Sequence, residues 1–201
     1  MTGRGRNMGG TMSHEKTLAR IAGILYLVIF VCAGFAEGYV RSSLIVPGNA
    51  AATAARITAS QSLYRLGFAA DLTAFMCDLA VTVLLYSLLR PAGQTLSLMA
   101  AGFRLLARPA IATINLLNHI IVLPILGGAD VLSAFTQPQR DALAMIFLDA
   151  QHYGYLIAGA LFGVHCLLLG VLLVRSDRFP GVLGVFMVIA STGYLIARQV
   201  S

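Results

Sequence analysis

The side chains that could do chemistry in this chain sit where such side chains are costly. Glu37, Asp71, Asp78, Arg104, Arg108, Asn115, Asn118, His119, Asp149, Gln151, His152 and His165 all fall within or at the end of long apolar runs. An ionisable group at the centre of a lipid-embedded helix costs roughly 2.5–3.5 kcal/mol on insertion scales. The helical phases of these residues are ordered. Asp71 and Asp78 are seven residues apart and share one face. At about 100° per residue, Arg104, Arg108, Asn115, Asn118 and His119 fall within a stripe about 100° wide. Such a stripe must face other helices or water. Acidic groups beside histidines in a membrane are typical of proton or cation paths.

Relative depth follows from folding the chain at its turns. Helices rise equally per residue, so positions equidistant from a short turn share a depth. About the turn near 92–93, Asp78 matches Arg108 and Asp71 matches Asn115. About the loop near 134, Asp149 matches His119, and His152 matches Asn115 and Asn118. Two layers are predicted. Near mid-membrane, Asp78 and Arg108 neutralise each other, with Arg104 below. Nearer the outer side, Asp71, Asn115, Asn118, His119, Asp149 and His152 form one polar pocket, with Glu37 above it. His165 falls about 140° from His152 and reads as a core or interface histidine.

Several chemistries compete for the outer group. Asp71, His119, Asp149 and His152 are acceptable metal ligands by type, but no HExxH or other metal signature occurs, and no metal is assigned. His152 and His165 are thirteen apart, a spacing that two haem ligands can use, yet one such helix does not make a haem site. There is no Gly-rich phosphate loop and no serine in a nucleophile elbow. The cofactor is therefore unknown. Cys32, Cys77 and Cys166 stand singly in apolar segments without a CxxC, which suggests neither a disulfide framework nor a zinc finger. They read as small core-filling residues.

What must position these groups is a set of membrane helices. Of 201 residues, 58% are hydrophobic and 11% charged, whereas a soluble domain carries roughly 25% charged residues to cover its surface. The apolar runs exceed the roughly 20 residues that cross a hydrocarbon core about 30 Å thick. In lipid every backbone N–H and C=O needs an internal partner, which leaves helices or closed barrels. These runs lack the alternation of barrel strands. The expected fold is an all-α polytopic bundle of about five transmembrane helices, with six left open. The spans are placed at about 18–40, 63–89, 96–126, 142–174 and 180–197. Residues 1–16 read as a disordered lead in which Met8 or Met12 could also be the start, and 17–201 as one membrane domain. The first run is too long for a signal peptide and is read as retained. In the first loop, Pro47-Gly48-Asn49 is a break and a helix-start signal before a short Ala-rich interfacial helix. Residues 90–94 form a tight turn, and Pro109 and Pro124 interrupt the third span.

Orientation is read from basic residues at span ends. With the N-terminus in the cytoplasm, Arg4, Arg6, Lys16, Arg20, Arg90, Arg175 and Arg178 lie inside, and Arg41, Arg56, Arg65, Arg140 and Arg198 outside. This orientation is that expected of a plasma-membrane protein with its N-terminus in the cytoplasm. The net charge of +6 comes without a Lys/Arg run or interleaved aromatics, so nucleic acid is not an expected partner. The expected partner is the lipid bilayer, with a homo-oligomer or a membrane partner left open. Three functions stay open: small-solute or ion transport or sensing through the outer pocket, a metal-assisted membrane-embedded enzyme, and a non-catalytic partner subunit.

The chain also resembles a bacterial membrane family known as domain of unknown function 4386. The similarity runs from about Leu18 to Tyr194. It is carried by Ala19-Arg20-Ile21-Ala22-Gly23, Glu37-Gly38-Tyr39-Val40-Arg41, Val46-Pro47-Gly48 with Ala50 to Ala55, and Arg65-Leu66-Gly67 with Asp71. It continues in Tyr86 to Arg90-Pro91, in Phe162-Gly163-Val164-His165-Cys166-Leu167-Leu168-Leu169-Gly170, and in Arg175-Ser176, Pro180 and Gly193-Tyr194. The resemblance implies a multi-pass membrane protein, sometimes described with six spans. It brings no established activity, cofactor or catalytic residue.

Overall fold

Each long apolar run becomes a helix, and the breaks fall at the proline and glycine positions. The computed structural model describes residues 6–176 and 179–196, with side chains described for 15–176 and 179–192. Helix α1 (Arg6–Ala33) continues through a π-helical segment, Gly34–Arg41, and a last turn, Ser42–Leu44. The helix thus begins at Arg6, inside the stretch expected as a lead. Extending a helix already nucleated by an apolar stretch is far easier than starting one. Helix α2 (Ala50–Ala59) starts where Pro47-Gly48-Asn49 predicts. Gly48 has a φ of 72°, which glycine adopts at little steric cost. The Asn49 side chain accepts from the backbone N–H of Ala52 at 2.9 Å, satisfying one of the free donors of the first turn.

Helix α3 (Gln61–Leu89) leads through a single 3₁₀ turn, Arg90–Ala92, into α4 (Gln94–Leu105). The third span then passes through a π-helical segment, Leu106–Ala112, which contains Pro109. Proline lacks the N–H of a regular turn, and a π-bulge accommodates it. Helices α5 (Thr113–Ile120) and α6 (Val122–Leu126) complete that span. Helix α7 (Gln137–Arg175) opens with a capping box between Thr136 and Gln139, and α8 is Gly181–Ile196.

Among the described residues four helices are long and apolar enough to cross a membrane: Glu15–Leu44, Gln61–Ala92, Gln94–Leu126 and Gln137–Arg175. Helix α8 is a shorter apolar helix. No strand occurs among the described residues. Arg4, Arg178 and Arg198, which entered the orientation argument, and position 197 at the end of the fifth expected span lie outside the described residues.

Helix α7 is the axis of the bundle, with α2, α4, α5, α6 and α8 against it, while α1 packs along α3. The inward face of α7 is read from Ala144, Leu148, Gln151, Ala158, His165, Leu169 and Leu172, all buried. These steps of three, four or seven keep one side of a helix inward. Helix α8 approaches closely because two glycines face each other: a Cβ on Gly170 would stand 2.8 Å from the Gly184 carbonyl oxygen. The opposite faces are apolar and outward, as with Leu27 at 66% and Phe30 at 78% exposure. That is the surface lipid covers.

A buried arginine and its ion-pair network

Asp78 lies twelve residues before Arg90, which puts it about 18 Å from that end of α3 at 1.5 Å per residue, well inside a core about 30 Å thick. There it forms an ion pair with Arg104 of α4; the two side chains are each 2% exposed. Arg104 also donates through Nη1 to the Tyr26 hydroxyl of α1 at 2.8 Å and to His165 Nε2 of α7 at 3.1 Å. The guanidinium carbon lies 5.1 Å from the Tyr26 ring centroid and 5.5 Å from that of Phe162. His165 Nδ1 is 2.8 Å from the Ala100 carbonyl oxygen. Only a protonated Nδ1 can bond a carbonyl, so His165 is read as the neutral tautomer with Nε2 as acceptor. One arginine therefore ties together α1, α3, α4 and α7. Its Nε–H, buried, has no hydrogen-bond partner among the described residues.

Arg108 holds a different position from the one expected. Its Nε is 3.9 Å from Asp78 Oδ2, beyond hydrogen-bond distance, and its side chain is 25% exposed. Its guanidinium lies 4.7 Å from the Phe162 centroid, a cation–π contact. The direct partner of Asp78 is thus Arg104, and Arg108 stands beside the pair. The turn between α3 and α4 is centred on Pro91 rather than at 92–93, and this shift moves the residue level with Asp78 from Arg108 to Arg104.

The six residues expected in one outer pocket take three different sets of partners. Asp71, buried, pairs with Arg41 of the π segment after α1, at 2.6 and 3.3 Å. Arg41 also bonds Glu37 Oε2 at 2.7 Å, and the Tyr155 hydroxyl reaches Asp71 Oδ2 at 3.3 Å. Asn115, Asn118 and His119 form the second group. Asn115 donates to the Gln151 carbonyl at 2.7 Å, and Asn118 donates to Asn115 Oδ1 at 2.9 Å. A Cβ on Gly154 would collide with the Asn115 side chain, so that glycine makes room for the bond. His119, fully buried, stacks on Tyr64 with centroids 3.9 Å apart and planes at 10°. Its Nε2 lies 3.3 Å from the Tyr64 carbonyl and its Nδ1 lies 3.3 Å from Gln151 Nε2. Asp149 and His152 form the third group and are exposed. They sit one position past Leu148 and Gln151 on α7, turned about 100° off the inward face. Asp149 is also about 39 Å from Arg175 along the helix, beyond a hydrocarbon core about 30 Å thick.

Sequence reasoning missed Arg41, Tyr26, Tyr64 and Tyr155 as partners, and placed His165 apart from the arginines it meets. The signal for Tyr155 was present: Leu148, Gln151, Tyr155, Ala158, Phe162 and His165 alternate steps of three and four. Glu37, Arg41, Asp71, Phe162 and His165 all lie in the stretches that carry the family resemblance.

Two cavities accompany these groups. One, of about 10 Å³, lies beside Arg104 and His165 and is lined by Thr82, Ser97, Leu169 and Leu172 among others. It has room for about one water. The other, of about 260 Å³, is an open groove formed by Gln61, Arg65, Ile120, Leu123, Pro124 and Gly127. Among the described residues no three His, Cys, Asp or Glu side chains gather as a metal-binding group.

These features define a polytopic all-α membrane protein whose buried charges are bridged between helices. The chain belongs to the family described as Domain of unknown function (DUF4386), whose model matches residues 21–201. It is 31% identical over 119 residues to an uncharacterized protein of Archaeoglobus fulgidus, an overlap of 59% of this chain and 57% of that protein. The chain thus spans a little over half the length of that curated relative. No solved structure matches it.

Proposed function

We propose that this chain is a plasma-membrane protein with a cytoplasmic N-terminus and five passes, which senses or transports an anionic solute at Arg104 and Arg108. The outer pocket expected from the sequence is not the basis of this reading. Asp71 is held by Arg41, and Asp149 and His152 face outward. The observation that carries the proposal is charge balance. Two guanidinium groups share the single carboxylate of Asp78, at a depth where an unpaired charge is expensive. At the other layer the excess is negative, but Glu37 is 69% exposed there. The mid-membrane site thus has room in its charge balance for one anion.

The test is thermal unfolding of the detergent-purified protein with chloride, phosphate, acetate and oleate, each as its sodium salt. At least one anion raises the melting temperature of the native protein, and Arg108→Gln abolishes the shift. If no anion stabilises it, or if Arg108→Gln leaves the shift intact, the reading is overturned. A second reading, a non-catalytic subunit that pairs with a second copy, is favoured by the first span. Its most apolar stretch is 6% buried within the chain, against 39–44% in the other spans. Gly34 and Gly38 on it have open space where a Cβ would stand, the arrangement that lets helices approach closely. Cross-linking of Gly38→Cys into a disulfide dimer in membranes supports that reading, and a monomer counts against it.

A further inference from the structure

We infer that the anion taken at Arg108 is the head of a single-chain amphiphile, a long-chain carboxylate that arrives through the lipid; this rests on the anion reading above. Four observations carry it. Arg108 makes no hydrogen bond among the described residues, and a quarter of its side chain is exposed. Its Nε stands 3.9 Å from Asp78 Oδ2, which brings the guanidinium close to the depth of Asp78, within the hydrocarbon core. A ligand that meets it there must be compatible with acyl chains. The cavity behind Arg104 and His165, about 10 Å³, admits about one water and is too small for a carboxylate with a tail. The head group is therefore received on the Arg108 side. The Phe162 ring lies under both guanidiniums, at 4.7 and 5.5 Å from their central carbons. It gives the Arg108 guanidinium an apolar neighbour, a setting compatible with an acyl tail whose carboxylate meets the planar fork.

The recognition is chemically economical. A carboxylate supplies two acceptors to a guanidinium that has none within hydrogen-bond distance, and such charge-assisted pairs are about twice as strong as neutral ones. It also balances the charge shared by Arg104, Arg108 and Asp78. No bond is made or broken in this step. A carboxylate bound at Arg108 would compete with Asp78 for that guanidinium and leave the Asp78–Arg104 pair in place.

The experiment measures radiolabelled oleate binding to the protein in nanodiscs of uncharged lipid, with acetate, octanoate and phosphate as competitors. The native protein binds oleate saturably, octanoate competes weakly, and acetate and phosphate do not compete. Arg108→Gln weakens oleate at least roughly tenfold, as expected for the loss of one charge-assisted pair. Arg108→Lys, which keeps the charge, retains binding within a few-fold, and Arg65→Gln in the open groove leaves it unchanged. Melting curves of each variant without ligand show whether it is folded. If acetate or phosphate competes as well as oleate, the amphiphile inference fails and the anion reading stands. If Arg108→Gln, still folded, binds oleate as the native protein does, both fail. Loss of binding in Arg65→Gln alone moves the site to the groove and overturns the inference.

Discussion

The residue that most constrains this protein is Arg104. It is 2% exposed, charged, and bonded to Asp78, Tyr26 and His165 on three other helices. A buried pair of this kind is a poor source of net stability but a costly one to break, because the surviving charge is left in a low-dielectric interior. Asp78→Ala is therefore expected to destabilise the bundle by about 3–5 kcal/mol, whereas Asp78→Ala with Arg104→Met recovers a large part of that loss. Denaturant or thermal unfolding in detergent reads both. If the double variant is as unstable as the sum of the single ones, the pairing is not what holds these groups. Arg108, without a hydrogen bond among the described residues and 25% exposed against 2% for Arg104, is the one of the two arginines whose removal is expected to disturb packing less.

At the scale of elements, close approach is written in glycine. Helices α7 and α8 touch through Gly170 and Gly184, and a methyl at Gly170 would meet both the Gly184 carbonyl and the Val188 side chain. Gly170→Ala is expected to cost about 1–3 kcal/mol, the usual range for overpacking a tight contact. Gly23→Ala on α1, where nothing lies within 4 Å of an added Cβ, should be neutral or slightly stabilising, since alanine is the better helix former by about 1 kcal/mol. Parallel melting curves of the two variants separate the contact from helix propensity. Equal effects would show that the α7–α8 approach is not tight.

The whole molecule is organised around α7, with the first span attached chiefly through α3 and through two polar bridges, the hydrogen bond from Arg104 to Tyr26 and the ion pair of Arg41 with Asp71. Its four long apolar helices place Arg90 and Arg175 at one end of the bundle and Arg65 and Gly128 at the other. Whether α8 also crosses decides where the C-terminus lies. Reporter fusions after Arg90 and after Ser201 are expected on opposite sides of the membrane, with Arg90 cytoplasmic. Reports from the same side would make α8 a helix that does not cross.

The sequence alone determined that this is a membrane bundle, and where its helices break. Low charge and runs of twenty or more apolar residues leave the backbone no other way to satisfy its hydrogen bonds. Asn49 and Pro91 mark a helix start and a turn through local chemistry that needs no partner. Phase along one helix was equally legible: Asn115, Asn118 and His119 do lie together. Sequence could not say which way each helix faces. Asp149 and His152 share a face of α7, but packing turned inward the face one residue behind them, that of Leu148 and Gln151. Nor could it say that Arg41 and Tyr26 of the first span would reach Asp71 and Arg104. Those contacts span 30 and 78 residues of chain and depend on how α1 lies against α3. Rotation and register of packed helices are set by the fit of many side chains at once, and that fit exists only in the tertiary structure.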